Sequence, residues 1–143
     1  LTRSSAASDV YKRQAHGIAS VVETVMGIID PIRTQVILIS FNHDALVHIR
    51  SNHAVPVGWA LREWSQHSRQ LAAALAPDYL FINRKRLPGT DEPLWTGPWQ
   101  WVVYTVNAAA EIPAFMERGF QLVETDEISK LLADPHLANL RVD

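Results

Sequence analysis

The sequence has no cysteine, no excess of charge of one sign and no long apolar run. Without cysteine, a disulfide framework, a thiolate nucleophile and a thiolate metal site are all excluded. The net charge of -2 and the scattered lysines and arginines argue against a protein that binds nucleic acid. No apolar stretch approaches the roughly 20 residues that a bilayer-spanning helix needs. We therefore expect a cytoplasmic protein that neither binds nucleic acid nor inserts into a membrane.

Apolar residues, in contrast, are plentiful enough to form a core. Of the 143 residues, 48% are hydrophobic and 20% are charged, a composition typical of a globular domain. The segment Ser4–Gln14 resembles an in-frame translation of a transposon-based sequencing-library adapter. We therefore exclude residues 1–14 from the fold prediction, as an adapter-derived or disordered tail, and assign the fold to residues 15–143.

Short apolar segments alternate with helical patterns along the chain. The sequence predicts strands at Gln35–Phe41, Pro56–Leu61, Asp78–Asn83, Trp101–Asn107 and Phe120–Asp126. Segments with helical spacing or strong helix formers lie before, between and after these strands. Strands that alternate with helices at intervals of about 20 residues indicate βαβ units and a parallel sheet.

This alternation fits two architectures, an open doubly wound sheet and the second half of a (β/α)8 barrel. A doubly wound nucleotide-binding sheet usually carries a glycine-rich phosphate loop after its first strand. Here the first strand is followed by Asn42, His43 and Asp44, without a glycine. The missing loop favours the half barrel, and a small, non-catalytic, doubly wound binding domain stays as the alternative.

Most of the predicted strands end in a residue that can form hydrogen bonds. Ser40, Asn83, Asn107 and the pair Thr125–Asp126 occupy these ends. In a parallel barrel, the active site lies at the carboxyl ends of the strands. The same residue types also cap helices and close turns, so their positions alone leave both roles open. For Thr125–Asp126 we expect a cap on the final helix.

Five motifs occur in order along the chain: ISFNHDAL, PVGWAL, FINRKRL, VVYTVN and ERGFQLVETD. In this order they resemble the C-terminal half of the glycerophosphodiester phosphodiesterases, and most of all the cytosolic bacterial type. The resemblance runs from Gln35 to Leu132. It implies that residues 15–143 are the C-terminal part, about five βα units, of a TIM (β/α)8 barrel. Tyr104 departs from the family, since many relatives carry tryptophan there, and Glu124 stands where a small or apolar residue is more usual.

The resemblance also implies an activity for the parent protein. That protein would be a metal-dependent hydrolase that cleaves glycerophosphodiesters to sn-glycerol 3-phosphate and an alcohol. In the family, carboxylates hold the divalent cation, Mg²⁺ or Ca²⁺, and histidines transfer protons. These groups belong to motifs on early strands that have no counterpart in this sequence. The fragment would therefore contain no catalytic residue and no metal ligand, and it would be inactive alone.

Six substrate-binding residues are implied by the same resemblance: Ser40, Phe41, Asn83, Lys85, Tyr104 and Asn107. Phe41 and Tyr104 would form apolar walls for the glycerol or the alcohol leaving group. Ser40, Asn83 and Asn107 would position loops or polar substrate atoms. Lys85 would either face the phosphate or be solvated. An incomplete barrel also exposes two unpaired strand edges, so we expect self-association through them.

Overall fold

The computed structural model describes residues 17–138. The helices are α1 (17–29), α2 (His43–Asn52), α3 (Gln66–Leu75), α4 (Ile112–Arg118), α5 (Ile128–Ala133) and α6 (Pro135–Ala138). The strands are β1 (Leu38–Ser40), β2 (Val57–Ala60), β3 (Tyr79–Asn83), β4 (Gln100–Tyr104) and β5 (Leu122–Val123). Short 3₁₀ helices cover Asp30–Gln35, Arg84–Arg86 and Ala109–Glu111. The predicted tail of residues 1–14 lies outside the described residues.

The five strands form one sheet in the order β1-β2-β3-β4-β5. The pairs β1–β2, β3–β4 and β4–β5 are parallel. A doubly wound sheet reverses its strand order at a switch point, whereas the strands of a (β/α)8 barrel follow one another in chain order. The observed order is therefore that of a barrel segment, and the doubly wound alternative is wrong. Among the described residues, no helix is long and apolar enough to cross a membrane.

The chain divides into two compact units, one up to Trp59 and the other from Ala60 onward. In the first unit, α1 buries Val22 and Met26, and α2 buries Leu46 and Ile49. Asn42 is the N-cap of α2, because its Oδ1 accepts a hydrogen bond of 3.1 Å from the amide of Ala45. Asparagine is among the residue types preferred at this position.

The second unit is built around β3 and β4, whose residues Leu80, Ile82 and Val103 are fully buried. The sequence predicts α3 from Arg62, but the helix begins only at Gln66. The reason is the N-cap: the Oγ of Ser65 accepts a hydrogen bond of 3.1 Å from the amide of Ser68. This bond supplies an acceptor for an amide that has no partner within the helix, and it fixes where the helix starts.

Candidate functional site

Two of the predicted site residues, Asn83 and Tyr104, lie side by side at the carboxyl ends of β3 and β4. They are Cα partners in the parallel register. Tyr104 is half-buried and packs against the buried cluster of Ala60, Phe81 and Val102. Because alternate residues of a strand point to the same face, Asn83 and Tyr104 share that face with Phe81 and Val102. The parallel register therefore places these two residues next to each other at one edge of the sheet.

The side chain of Asn83 is tied to the turn that follows β3. Its Oδ1 accepts a hydrogen bond of 3.0 Å from the backbone amide of Lys85. This bond starts the 3₁₀ helix Arg84–Arg86, whose N-cap is Asn83. The side chain of Lys85 is exposed. The turn thus holds the Asn83 amide in place and presents the lysine to solvent just beyond the strand end.

The phenol of Tyr104 lies in an environment that keeps it protonated. Burial raises the pKa of the Tyr104 hydroxyl, and the nearby carboxylate of Glu124 raises it further, while the guanidinium of Arg86 acts in the opposite direction. Burial dominates because it disfavours the charged phenolate. At neutral pH the hydroxyl is therefore a hydrogen-bond donor and not a base.

Asn107 connects the chain after β4 to the chain after β5. Its Oδ1 accepts hydrogen bonds from the Oγ1 of Thr125 at 2.9 Å and from the amide of Asp126 at 3.2 Å. The Oγ1 of Thr125 in turn accepts a bond of 3.0 Å from the amide of Glu127. The N-cap of α5 is Glu127, which makes no side-chain capping bond. The expected cap by Thr125–Asp126 is therefore wrong, because Thr125 orders the loop before the helix.

We call Asn83, Lys85, Tyr104 and Asn107 the strand-end cluster. β4 ends at Tyr104, so the predicted strand to Asn107 is too long. The peptide bond between Tyr104 and Thr105 is cis.

An ion pair that the sequence reasoning missed braces the loops beside this cluster. The guanidinium of Arg84 donates two hydrogen bonds, of 2.7 and 2.6 Å, to the two carboxylate oxygens of Glu111. Arg84 also lies over the ring of Phe115, 5.4 Å from its centroid. The hydrogen bonds from Arg84 hold the pKa of the Glu111 carboxyl below its usual value. The available signal was an arginine directly after β3 and a glutamate directly before α4.

The other two predicted site residues, Ser40 and Phe41, belong to the first unit. The Oγ of Ser40 accepts a bond of 3.0 Å from the amide of Asn42, which closes the turn between β1 and α2. The carbonyl of Phe41 accepts a bond of 3.2 Å from Nε1 of Trp59. The ring of Phe41 is 48% exposed, so the backbone of this residue is anchored while its apolar side chain faces outward.

Three ionisable side chains in the first unit form a cluster of a different kind. The Oε1 of Glu23 on α1 accepts hydrogen bonds from Nε2 of His53 at 2.9 Å and from Nε2 of His48 at 2.8 Å. These two bonds lower the pKa of the Glu23 carboxyl. The cluster links α1 to α2 and to the segment after it.

Among the side chains that the structure describes, no group of three or more His, Cys, Asp or Glu is arranged to hold a metal ion. The residues that the structure describes therefore do not fit the divalent cation that the family resemblance implies. No step of a reaction is assigned to a metal on this part of the chain.

Comparison with known proteins gives a likeness of fold. No protein-family model matches the chain, and no curated protein matches it in sequence. A phosphodiesterase from Oleispira antarctica, solved in complex with the product sn-glycerol-3-phosphate, has a TM-score of 0.66 and 13% identity, covering 81% of this chain and 49% of that one.

Two further solved structures give the same result. A protein from Silicibacter pomeroyi, named as a glycerophosphoryl diester phosphodiesterase, has a TM-score of 0.64 and 16% identity, with 86% of this chain and 45% of that chain covered. A glycerophosphodiester phosphodiesterase from Parabacteroides distasonis has a TM-score of 0.67 and 15% identity, with 89% and 54% covered. The chain thus spans about half the length of each of these structures. At these identities the likeness establishes the fold alone, part of a (β/α)8 barrel similar to the barrels of these three structures, and confirms the fold prediction.

Proposed function

We propose that the chain is the C-terminal part of the barrel of a metal-dependent, cytoplasmic glycerophosphodiester phosphodiesterase. The whole protein would hydrolyse glycerophosphodiesters to sn-glycerol 3-phosphate and an alcohol. The observation that carries the proposal is the shared fold with three structures named as phosphodiesterases, over 81–89% of this chain. One of them contains sn-glycerol-3-phosphate as its product, which supports a small phosphate ester as the substrate.

Within this proposal, the strand-end cluster binds the substrate and does not perform the chemistry. Tyr104 would donate a hydrogen bond from its protonated phenol to a substrate oxygen, and its ring would contact the glycerol carbons. Lys85, exposed just past the end of β3, would approach the phosphate. Asn107 would act as a positioning residue, because its carbonyl oxygen already accepts two hydrogen bonds from the neighbouring loop. The roles of Phe41 as an apolar wall and of Ser40 as a positioning residue stay predictions from the family resemblance.

The catalytic groups and the ligands of the cation are proposed to lie outside this chain. The test is the release of sn-glycerol 3-phosphate from glycerophosphocholine, followed by ³¹P NMR with Mg²⁺ or Ca²⁺ and then with a chelator. We expect no turnover by the chain as printed and chelator-sensitive turnover by the product of the complete gene. Chelator-sensitive turnover by the chain alone would show that its catalytic groups have been misplaced. An inactive complete protein would refute the proposed function itself.

The binding role of Tyr104 has a matched control on the same face of the sheet. Tyr79 packs against the same buried residues as Tyr104, but it stands at the amino end of β3. In the complete protein, Tyr104→Phe should raise KM several-fold with little change in kcat, whereas Tyr79→Phe should leave both constants unchanged. Equal KM values for the two variants would remove Tyr104 from the substrate site.

We also propose that the isolated chain self-associates through β1. This strand stands at one end of the strand order, and Ile37, Ile39 and Phe41, which alternate along this segment, are 42%, 52% and 48% exposed. An exposed apolar edge strand is a template for pairing with a second copy. Ile39→Lys should shift the mass in sedimentation equilibrium toward the monomer, and Ile32→Lys, an equally exposed control on a 3₁₀ helix, should not. A chain that is monomeric at all concentrations would contradict the proposal.

A further inference from the structure

Glu124, the residue that follows β5, lies beside Tyr104 of the strand-end cluster. The strands β4 and β5 are parallel, with Val103 opposite Val123, so the register places Tyr104 opposite Glu124 one residue further along. The amide of Glu124 continues the pairing, because it donates a hydrogen bond of 2.9 Å to the carbonyl of Val103. Residues paired across parallel strands point to the same face of a sheet. The side chain of Glu124 is therefore on the same face as the phenol of Tyr104.

The opposite side of Tyr104 carries positive charge. Its partner on that side is Asn83, which is the N-cap of the 3₁₀ helix of residues 84–86. In that helix, the side chains of Lys85 and Arg86 are exposed. The side chain of Glu124 is exposed as well. Tyr104 thus stands between exposed cations after β3 and an exposed carboxylate after β5.

Both kinds of charge reach the phenol of Tyr104. Burial is the main cause of the raised pKa of this hydroxyl, and the guanidinium of Arg86 and the carboxylate of Glu124 shift that pKa in opposite directions. Among the side chains that the structure describes, none forms an ion pair with Arg86 or with Glu124. Two charges of opposite sign therefore act at the position of Tyr104, and no described neighbour neutralises either of them.

These charges give a direction to a substrate that is bound at Tyr104. A phosphate is negatively charged, so Lys85 and Arg86 attract it and Glu124 repels it. The phosphate should therefore lie toward the end of β3. The alcohol part of a phosphodiester would then lie toward the end of β5, next to Glu124. A carboxylate in this position favours a cationic group in the alcohol and disfavours an anionic one.

We propose that Glu124 selects substrates whose alcohol part carries a positive charge. The substrate class is the glycerophosphodiesters of an amino alcohol, whose ammonium group lies against the carboxylate of Glu124 while the phosphate faces Lys85 and Arg86. This selection rests on the proposed function, because it requires a substrate bound at the strand-end cluster. It adds to that function the charge that the alcohol must carry and the residue that recognises it.

Two substrates of the same shape test this selection in the complete protein. Glycerophosphocholine carries a trimethylammonium group, and the corresponding ester of 3,3-dimethylbutanol has an uncharged carbon in place of the nitrogen. We expect kcat/KM to be about two- to fivefold higher for the choline ester, as for an exposed pair of opposite charges. This preference should shrink as the ionic strength rises, because salt screens exposed charges.

Two glutamine variants separate the contact with Glu124 from a general effect of charge. Glu124→Gln should lower kcat/KM for the choline ester to the value for the uncharged ester and leave the latter unchanged, whereas Glu117→Gln, at an exposed position of α4, should keep the preference. A preference that persists in Glu124→Gln would overturn the selection by Glu124. So would equal kcat/KM values for the two esters in the unaltered protein, a comparison that needs no variant and that would still support the proposed function. Hydrolysis of neither ester would refute the proposed function and the selection together.

Discussion

The hydrogen bonds of Asn107 give a direct test of how the loops after β4 and β5 are held together. Asn107→Ala removes the acceptor of two bonds, one from the Oγ1 of Thr125 at 2.9 Å and one from the amide of Asp126 at 3.2 Å. A typical intramolecular hydrogen bond contributes about 0.5–1.5 kcal/mol to stability. The bond to Thr125 is the shorter and is half-buried, so we assign it the middle of this energy range. The bond to the exposed Asp126 belongs at the lower end of the range. We therefore expect the free energy of unfolding to fall by about 1.5 kcal/mol.

Urea denaturation followed by tryptophan fluorescence measures this loss, and a double-mutant cycle isolates the bond. With Thr125→Val as the second substitution, the coupling energy between the two sites should be about 0.5–1 kcal/mol. Hydrogen exchange of the Asp126 amide should also become faster in Asn107→Ala. Asn52→Ala serves as the control, because the Asn52 side chain bonds only to the exposed carbonyl of His48 one turn away in α2. Its effect should stay within about 0.5 kcal/mol.

The outcome of the cycle decides between two roles for Asn107. If the two single losses simply add in the double variant, the bond to Thr125 contributes nothing to the fold, and the bracing of the two loops through Thr125 is refuted. The bond from the Asp126 amide would then be the remaining structural contact of the Asn107 side chain. A measured coupling, in contrast, leaves the amide a positioning group.

Three further changes test the core, an ion pair and a helix end. Ile82→Val, at a fully buried position, should lower the free energy of unfolding measured in urea by about 1 kcal/mol. Ile39→Val, at a half-exposed position, should lower it by less than about 0.5 kcal/mol. Similar losses for the two variants would contradict the assigned core. Glu111 has a lowered pKa, so its bridge stabilises the fold above the ordinary carboxyl pKa of 4.5 and is lost as pH falls through the folded value. Glu111→Gln should remove this pH dependence of the free energy of unfolding, which amounts to no more than about 1 kcal/mol because the pair is half-exposed. Parallel pH profiles of stability for the wild type and the variant would refute this role of the ion pair. Gly119→Ala, at a φ of 112°, should destabilise by about 1 kcal/mol, whereas Gly27→Ala in α1, where an added methyl meets nothing, should not.

The sequence predicts where each strand lies but not where it ends. Short apolar runs locate all five strands, including β1 and β5, whose residues are not buried. The segment after β4 shows the limit of this signal. Val106 is fully buried, like a strand residue, yet β4 ends at Tyr104. The amide of Val106 still donates to the carbonyl of Glu124 at 2.9 Å, outside the regular ladder. Apolar character therefore does not fix where a strand ends, and the hydrogen-bond register does.

In the candidate site, too, some contacts depend on residues that are far apart in the sequence. Asn83 and Tyr104 are adjacent because the parallel strands β3 and β4 end together, whereas the pattern of polar strand ends places the end of the fourth strand at Asn107. The pairing of Arg84 with Glu111 spans 27 residues and depends on the geometry of two loops. No periodicity encodes that distance. The same holds for Trp64 and Glu92, which are 28 residues apart and meet only in the folded chain.

The two ends of β4 are stabilised by different kinds of interaction, and this difference has a consequence for function. At the carboxyl end, half-exposed polar bonds hold the loops, such as those of Asn107 to its neighbours. At the amino end, stacked tryptophans and the buried bond from Trp101 to Trp95 form a rigid wall. Between them, Val102 and Val103 are buried, so the strand itself has little freedom to shift. A barrel that places its chemistry at one end of the strands can therefore change the polar loops there without disturbing the packing that holds the other end.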